Sequence, residues 1–123
     1  MARPFRPVSI TAARALSDKK GDAVLLLDVA GLSPLTDFLL IVTALSPAHL
    51  EALEQEAKKT LKEFQLHCLH RARPASDQWR VLDFGGLIVH LMVEDARGFY
   101  ALEKLYDDAP RVKWEQKVHA RAR

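Results

Sequence analysis

Two nearly continuous apolar runs stand out in the first half of the chain: AVLLLDV, from Ala23 to Val29, and FLLIVTAL, from Phe38 to Leu45. A strand with one solvated face alternates apolar and polar residues, whereas these runs have few polar breaks. They therefore predict strands that are covered on both faces. The segment AGLSPLTD between them is rich in turn-forming residues and predicts a connecting loop.

A helix is predicted to follow the second run. Ser46 is a residue type that caps helix N-termini, and Pro47 suits the first helical position. Apolar residues then recur at helical spacing and form one stripe, which comprises Leu50, Leu53, Ala57, Leu61 and Phe64. Glu54 and Lys58 form a favourable pair four residues apart, so the charged run EQEAKK is predicted to be the solvated face.

The other segments predict a short first helix and three further strands. The first helix runs from Ser9 to Lys20 and ends at Gly21. LHCLHRA, which begins at Leu66, is predicted to be a strand. Two more strands, Trp79–Asp83 and Leu87–Val93, are predicted to form a hairpin whose Gly-Gly turn needs a positive φ.

A last helix is predicted from Asp95 to about Tyr106. Its apolar side is predicted to consist of Phe99, Leu102, Leu105 and Tyr106. The predicted order of elements is therefore α-β-β-α-β-β-β-α. This order indicates the α/β class, with a mixed five-stranded sheet and helices packed on it.

Composition agrees with a single soluble domain. A chain of 123 residues with 49% hydrophobic and 28% charged residues has the size and balance of one globular domain. Cys68 is the only cysteine, which excludes an internal disulfide and suits the reducing cytoplasm. No apolar run reaches the ~18 residues of a membrane span, and the N-terminal MARPFRPVS lacks the apolar stretch of a secretory signal.

Basic residues are concentrated at the C-terminus. The net charge of +2 is too small to demand a nucleic-acid partner, but RVKWEQKVHARAR, from Arg111, is strongly basic. Such a tail is either a solvated arm, which we favour, or a segment that contacts phosphates. The sequence is therefore divided into an N-terminal extension (1–8), a domain (9–110) and a basic tail (111–123).

The sequence supplies no convincing catalytic or metal-binding group. His67 and His70 would point to opposite faces of a strand, so they are not predicted to share a metal. Glu54 and Glu56 lie two apart on a helix, where side chains diverge, and the sequence contains no phosphate-binding glycine loop. We predict no cofactor, no metal and no enzymatic activity.

The hairpin contains two residues whose roles the pattern leaves open. Trp79 shares one strand face with Val81 and Asp83, so it is either a core residue under a helix or an interface anchor beside a charge. His90 lies midway along the second hairpin strand. It is predicted to be a core histidine with a local hydrogen-bond partner rather than a general base.

Three stretches of the chain resemble the ribosomal silencing factor family, also called the Iojap or RsfS family. They are LDVAGLSPLTDFLLIVTALSPAHL from Leu27, WRVLDFGGLIVHLM from Trp79 and FYALEKLYDDAPRV from Phe99. With the spacing between them, they cover about residues 10–114, which is nearly the whole predicted domain. The combination of the three motifs is specific to this family.

This resemblance implies a binding protein. Family members dock on the large ribosomal subunit against large-subunit ribosomal protein fourteen and prevent the small subunit from joining, which represses translation. Their fold resembles that of nucleotidyltransferases but lacks the catalytic carboxylates. The resemblance also implies a cytoplasmic protein that is a homodimer when free.

The resemblance assigns partner binding to the hairpin. Trp79, Asp83 and Phe84 match the positions that face the ribosomal protein, and Val81 lies on the face of Trp79. A loop after the first strand, which we name the signature loop, keeps four polar positions of the family: Asp28, Ser33, Thr36 and Asp37. These side chains are expected mainly to organise the loop through hydrogen bonds to the backbone.

Two departures from the family pattern leave other functions open. The hairpin turn is Gly85-Gly86 where the family usually has Gly-Asp, and HRARPASD replaces the usual acidic residues before the tryptophan. One alternative is an RNA-binding module that uses arginines, namely Arg71, Arg73, Arg80, Arg121 and Arg123. The other is an unrecognised nucleotidyltransferase-like enzyme. A steep salt dependence of RNA binding would favour the first, and magnesium-dependent nucleotide binding the second.

Overall fold

The computed structural model describes residues 5–71 and 76–115, the side chains of His70 and Arg71 excepted. The elements follow in the order α1 (Phe5–Asp18), β1 (Asp22–Asp28), β2 (Phe38–Ala44), α2 (Pro47–Lys62), β3 (His70–Arg71), β4 (Trp79–Asp83), β5 (Leu87–Val93), α3 (Glu94–Tyr100) and α4 (Leu102–Leu105). Ser46 caps α2 as predicted, because its Oγ accepts a hydrogen bond from the backbone N–H of His49 at 3.0 Å.

The sheet is mixed, as predicted, with strand order β1-β2-β5-β4-β3. The central pair β2–β5 is parallel, and the other three pairs are antiparallel. β3 contributes only two residues at one edge, so four strands form the body of the sheet rather than five full-length strands. The strand predicted for LHCLHRA is wrong at residues 66–69, which are not part of the sheet ladder. There the backbone N–H of Leu66 donates to the carbonyl of Leu61 and so ends α2.

Helices α1 and α2 cover one face of the sheet and form the larger core with it. The stripe predicted for α2 is confirmed, since Leu50, Leu53, Ala57 and Leu61 are fully buried and Phe64 packs at the margin. β2 is buried along its whole length, which agrees with a strand covered on both faces. The first helix begins at Phe5 rather than Ser9, and Val8 is already part of the core.

Among the described residues, the other face of the sheet is covered mainly over β1, β2 and the C-terminal end of β5. A second apolar cluster there joins strand residues to α3, α4 and the segment that follows them, and its buried members are Leu27, Val29, Leu39, Ile41, Met92, Ala96 and Ala109. Toward β4 the strand residues of this face stay partly exposed. The described residues therefore leave the β4 half of this sheet face partly exposed.

The predicted single helix from Asp95 to Tyr106 is wrong, because the chain leaves the helix at Ala101. Ala101 has left-handed backbone angles, with φ 47° and ψ 51°. The break lets the carboxylate of Glu103 meet the guanidinium of Arg97 at 3.0 Å. It also overturns the predicted apolar side: Leu102 and Tyr106 pack on the sheet, whereas Phe99 and Leu105 are exposed.

The segment from Arg111 to Trp114, which was predicted to begin a solvated tail, lies along β1. Arg111 forms a bridge with Leu27, and the backbone N–H of Val112 donates to the carbonyl of Leu26 at 2.8 Å. Arg14 Nε donates to the carbonyl of Trp114 at 2.6 Å, which ties the segment to α1. The first four residues of the predicted tail are therefore part of the fold.

The solvated face predicted for α2 is wrong at Glu54, whose side chain is only 1% exposed. Arg80, on the helix-covered face of β4, donates from Nη1 to Glu54 at 2.9 Å and to Glu51 at 2.5 Å. Lys58 Nζ lies 2.9 Å from the other Glu54 oxygen. The hydrogen bond to Glu51 is the largest cause of a raised pKa at Arg80, so the guanidinium stays charged. Arg80 is therefore engaged inside the protein and is not available as an RNA contact.

The Gly-Gly turn of the hairpin has two different physical requirements. Gly85 has φ 93°, the positive value that was predicted and that glycine adopts without strain. At Gly86 the constraint is space, because an added Cβ would collide with the ring of Phe5 in the first turn of α1. Phe5 thus occupies the volume that an acidic side chain at this position, usual in the family that the sequence resembles, would need.

Gly86→Ala is expected to lower the free energy of unfolding by about 1–3 kcal/mol, the usual cost of overpacking a filled site. Combining it with Phe5→Ala should recover most of the added loss, because the clashing ring is then absent. Urea unfolding of the wild type, both single variants and the double variant measures this coupling. Additive losses in the double variant would contradict the proposed packing of Phe5 on Gly86.

Candidate functional site

The uncovered half of the second sheet face is built by alternation along the β4–β5 hairpin. Trp79 pairs with Met92, Val81 with His90, and Asp83 with Ile88. Five of these residues are partly exposed and form what we name the open face: Trp79, Val81, Asp83, Ile88 and His90. The open face therefore has a valine–histidine pair at its centre, an indole at one end, and an isoleucine beside a carboxylate at the other.

An aromatic group borders the open face at the Trp79 end. The Trp79 ring lies 4.6 Å from the Tyr100 ring between centroids, in a tilted arrangement. Phe99 meets Tyr100 edge-on, at 5.0 Å and 88°. Phe99 is 81% exposed, which is unusual for so large an apolar side chain. These three residues, Trp79, Tyr100 and Phe99, are named the aromatic group.

Trp79 combines the two roles that the sequence left open. It packs at the margin of the second cluster, yet part of its surface faces solvent. Its Nε1–H donates to Nδ1 of His90 at 3.0 Å, so the polar atom of the indole is satisfied within the protein. This bond also gives His90 the local partner that was predicted for it. Trp79 is therefore held in one orientation and presents carbon atoms outward.

The start of β4 is fixed by a serine in front of Trp79, which sequence reasoning did not single out. Ser76 Oγ accepts hydrogen bonds from the backbone N–H groups of Gln78 and Trp79, at 2.9 and 3.3 Å. Arg80 Nε donates to the carbonyl of Ser76 at 2.9 Å. A serine three residues before a strand is a recognisable turn signal, but its link to a buried arginine depends on the tertiary fold.

His90 is held neutral by its surroundings. Its cross-strand neighbours on this face, Val81 and Ile41, are apolar, and burial lowers its pKa from 6.5 to about 4. The bond from the indole N–H has the same consequence, because Nδ1 can accept only when it carries no proton. The imidazole of the folded protein is therefore uncharged at neutral pH.

The free energy of unfolding is expected to fall as the pH drops from about 6.5 to about 4. In this window the unfolded chain protonates His90 while the folded chain does not, so unfolding takes up a proton. The total effect is at most about 3 kcal/mol and levels off below pH 4. Urea unfolding at several pH values measures it, and His90→Asn should have a shallower dependence over this window. An equal dependence in both proteins would contradict the assignment to His90.

The far end of the open face is shaped by the hairpin turn. Asp83 Oδ1 accepts a hydrogen bond from the backbone N–H of Gly85 at 2.8 Å, which orients the carboxylate. Phe84, by contrast, is only 2% exposed and packs in the core on the helix-covered face. Because a side chain in that position is not accessible, Phe84 does not belong to the site, contrary to the prediction.

The signature loop lies at the Asp83 end of the sheet, and three of its four polar side chains make the predicted hydrogen bonds to the backbone. Asp28 Oδ1 accepts from the N–H of Ala30 at 3.1 Å, and Ser33 Oγ accepts from the N–H of Leu35 at 3.1 Å. Thr36 Oγ1 donates to the carbonyl of Phe38 at 3.3 Å. For Asp37 the bond is made by its backbone, whose carbonyl accepts from Val29. The loop is therefore folded by its own polar groups.

The remaining candidates are the four arginines predicted as possible RNA contacts. The side chain of Arg71, together with Arg73, Arg121 and Arg123, lies outside the described residues. Among the side chains of residues 5–69 and 76–115, no group of three His, Cys, Asp or Glu could hold a metal ion. Within the same ranges, no helix is both long enough and apolar enough to cross a membrane.

Comparison with known proteins decides the family. A family model described as ribosomal silencing factor during starvation matches residues 4–123. The chain belongs to the ribosomal silencing factor family. Proteins named ribosomal silencing factor RsfS are similar to it: one from Halalkalibacterium halodurans is 35% identical, covering 85% of this chain and 89% of that protein. Another, from Treponema pallidum, is 38% identical and covers 78% and 86%.

Solved structures agree with this assignment. A crystal structure of a protein from Chromobacterium violaceum superposes with a TM-score of 0.80 at 28% identity, covering 85% of this chain and 88% of that one. A second, from Bacillus halodurans, has a TM-score of 0.73 at 30% identity and covers 89% and 99%. The resemblance read from the sequence is thereby confirmed, and the mixed α/β fold is that of the silencing factors.

The family assignment also settles the question of catalysis. Ribosomal silencing factors are not enzymes, so this silencing factor is not one either. The open face is therefore a candidate binding surface rather than a reaction centre. The three aromatic side chains, the apolar strip and the terminal carboxylate are the features from which a partner must be inferred.

Proposed function

We propose that this silencing factor binds the large ribosomal subunit through its open face and aromatic group, against large-subunit ribosomal protein fourteen. In this position it blocks the joining of the small subunit and so represses translation. The observation that carries the proposal is the aromatic group, which stands exposed beside a half-covered sheet face. The family assignment supplies the ribosome as the partner.

Aromatic side chains with one fixed orientation are well suited to anchor such an interface. Trp79 and Tyr100 lose little conformational freedom on binding because they already pack on one another. Phe99 makes a large apolar surface available, and with Tyr100 and Trp79 it forms a contiguous patch of the kind that marks interaction sites. Tryptophan and tyrosine are also the residue types most enriched among the energetic hot spots of interfaces.

The proposed contact set keeps three of the four hairpin residues assigned from the resemblance. Trp79, Val81 and Asp83 remain, and Phe84 is removed because it is buried. The geometry adds four residues that border them, namely Ile88, His90, Phe99 and Tyr100. Asp83 places a carboxylate at the edge of the set, where it can pair with a basic side chain of the ribosomal protein.

Further parts of the proposal follow from the family and are secondary. We expect a cytoplasmic protein that is a homodimer when free, whose fold resembles that of nucleotidyltransferases. The basic residues beyond Trp114 are proposed to be a solvated arm that can approach ribosomal RNA. RNA binding as the main function is disfavoured, because Arg80 is buried in its ion pairs with Glu51 and Glu54.

Co-sedimentation with isolated large subunits tests the proposal, with small subunits added afterwards to measure joining. The wild type should pellet with large subunits at low salt and reduce the yield of joined particles. Phe99→Ala should weaken both effects by about 5- to 30-fold, the range for an interface residue worth 1–2 kcal/mol. Its melting temperature should hardly change, because the side chain is exposed.

Leu105→Ala is the matched control. Leu105 is also a large exposed side chain, but it lies on α4 and outside the aromatic group. The control should pellet like the wild type. Absence of the wild type from the large-subunit pellet at low salt would refute the proposed function, and equal losses in both variants would refute the assignment to the aromatic group.

A further inference from the structure

The hydrogen bond from Trp79 determines which nitrogen of the His90 imidazole carries the proton. The indole nitrogen carries a hydrogen that it can only donate, and it lies 3.0 Å from Nδ1 of His90. Nδ1 is therefore the acceptor and bears no proton. In a neutral imidazole the single proton must then be on Nε2, which makes Nε2–H a hydrogen-bond donor.

In the part of the chain that the structure describes, no acceptor takes up this donor. Among the described residues, the hydrogen bond from Trp79 is the one bond that His90 makes through its ring. The flanking cross-strand residues are Val81 and Ile41, whose side chains offer no acceptor. His90 is partly exposed, so Nε2–H has to find its acceptor in solvent or in whatever covers the open face.

We infer that His90 is a specificity-determining residue of the open face, which donates through Nε2–H to a backbone carbonyl or a carboxylate of the bound protein. The inference rests on the proposed function, because it concerns the partner that covers this face. It requires an acceptor at the centre of the partner's contact patch, flanked on one side by apolar atoms that meet the carbon surface of Trp79. A partner with a lysine or an amide N–H at that point is excluded by this arrangement, since two donors would face one another.

The geometry of the site explains why a histidine serves here better than other donors. The same ring that donates to the partner also accepts from Trp79, so the anchor and the donor are positioned by a single hydrogen bond. Desolvation by the partner would remove water from Nε2–H, and leaving it unpaired would then cost affinity. The donor thus raises the affinity for a partner that has an acceptor at this point and lowers the affinity for one that lacks it.

Two substitutions separate the acceptance of the Trp79 hydrogen bond from the donation to the partner. His90→Asn keeps an oxygen near the position of Nδ1, which can accept from Trp79, but it has no group that reaches the position of Nε2. His90→Gln places an amide nitrogen near the position of Nε2 and lacks the Nδ1 acceptor. Affinity for isolated large subunits is measured for both by co-sedimentation, and their melting temperatures are measured as a check on folding.

His90→Asn is expected to bind large subunits about 5- to 150-fold more weakly than the wild type, the loss for a buried acceptor left without its donor. His90→Gln is expected to bind more tightly than His90→Asn, even if it is the less stable of the two. Equal binding by His90→Asn and the wild type would overturn the inference, and so would weaker binding by His90→Gln than by His90→Asn.

A readout on the free protein distinguishes failure of this inference from failure of the proposed function. Nitrogen-15 chemical shifts of the His90 ring report which nitrogen carries the proton, and we expect it on Nε2 at neutral pH. A proton on Nδ1 would overturn the inference whatever the protein binds. If the tautomer is as expected but the wild type does not pellet with large subunits, the proposed function falls and this inference falls with it.

Discussion

Trp79→Ala is expected to weaken binding to the large subunit by roughly 30- to 1,000-fold. This corresponds to the loss of about 2–4 kcal/mol of binding free energy when a hot-spot side chain is truncated. The indole is the largest side chain of the open face, and both Tyr100 and His90 are positioned against it. Its removal therefore deletes one contact and loosens two others. Co-sedimentation with large subunits across a range of protein concentrations measures the change in affinity.

The same variant is expected to lose some stability, because Trp79 also packs at the margin of the second cluster. We expect about 2 kcal/mol, below the 3–5 kcal/mol of a fully buried aromatic residue. Trp114→Ala is the matched control: this tryptophan packs against the helix-side core, and its indole donates to the carbonyl of Val24. The control should lose stability and keep its affinity for large subunits. Unchanged pelleting by Trp79→Ala would contradict the role of Trp79 as the anchor.

Arg80→Met is expected to lower the free energy of unfolding by about 3–5 kcal/mol without removing the open face. It leaves Glu54 with its carboxylate buried and with Lys58 as the cation that remains against it. Removing one partner of a buried ion pair costs more than the intact pair stabilises, because the remaining charge loses part of its compensation. The hydrogen bond that holds the carbonyl of Ser76 before β4 is lost as well. Urea unfolding monitored by circular dichroism measures the loss.

The double variant Arg80→Met/Glu54→Leu separates the ion pair from the packing of the two side chains. Replacing both charges by apolar groups of similar size is often neutral, so the double variant should be more stable than Arg80→Met alone. The interaction energy between Arg80 and Glu54, calculated from the wild type, the two single variants and the double variant, should be at least about 1 kcal/mol. A double variant that loses the sum of the two single losses would show that the contact is not an energetic pair.

The parts of the fold that sequence reasoning predicted correctly are those determined by neighbouring residues. The limits of β4 and β5 follow from alternation and from the Gly85 turn, and the start of α2 follows from the Ser46 cap. Alternation alone also places Phe84 on the face opposite Trp79. The resemblance assigned Phe84 to the interface, and the structure agrees with the alternation.

The parts that could not be predicted depend on contacts between distant residues. Glu54 has the helical position of a solvated residue and is buried only because Arg80 reaches it from β4. The helix break at Ala101 accompanies the bonds that Arg97 makes to Ala23, Thr43 and Glu103, two of which lie on the first two strands. The exposure of Phe99 follows from that break, so the outer part of the aromatic group could not be read from periodicity.

The position of β5 has a consequence for how the nascent chain matures. β5 is the last strand to be synthesised, yet it lies between β2 and β4 in the sheet. Until residue 93 has emerged, β2 has an apolar, unpaired inner edge of the kind that recruits other chains. β5 also carries Ile88 and His90, so the sheet closes and the open face is completed in a single late event. A chain interrupted before that point therefore has neither a finished core nor a surface on which a partner could dock.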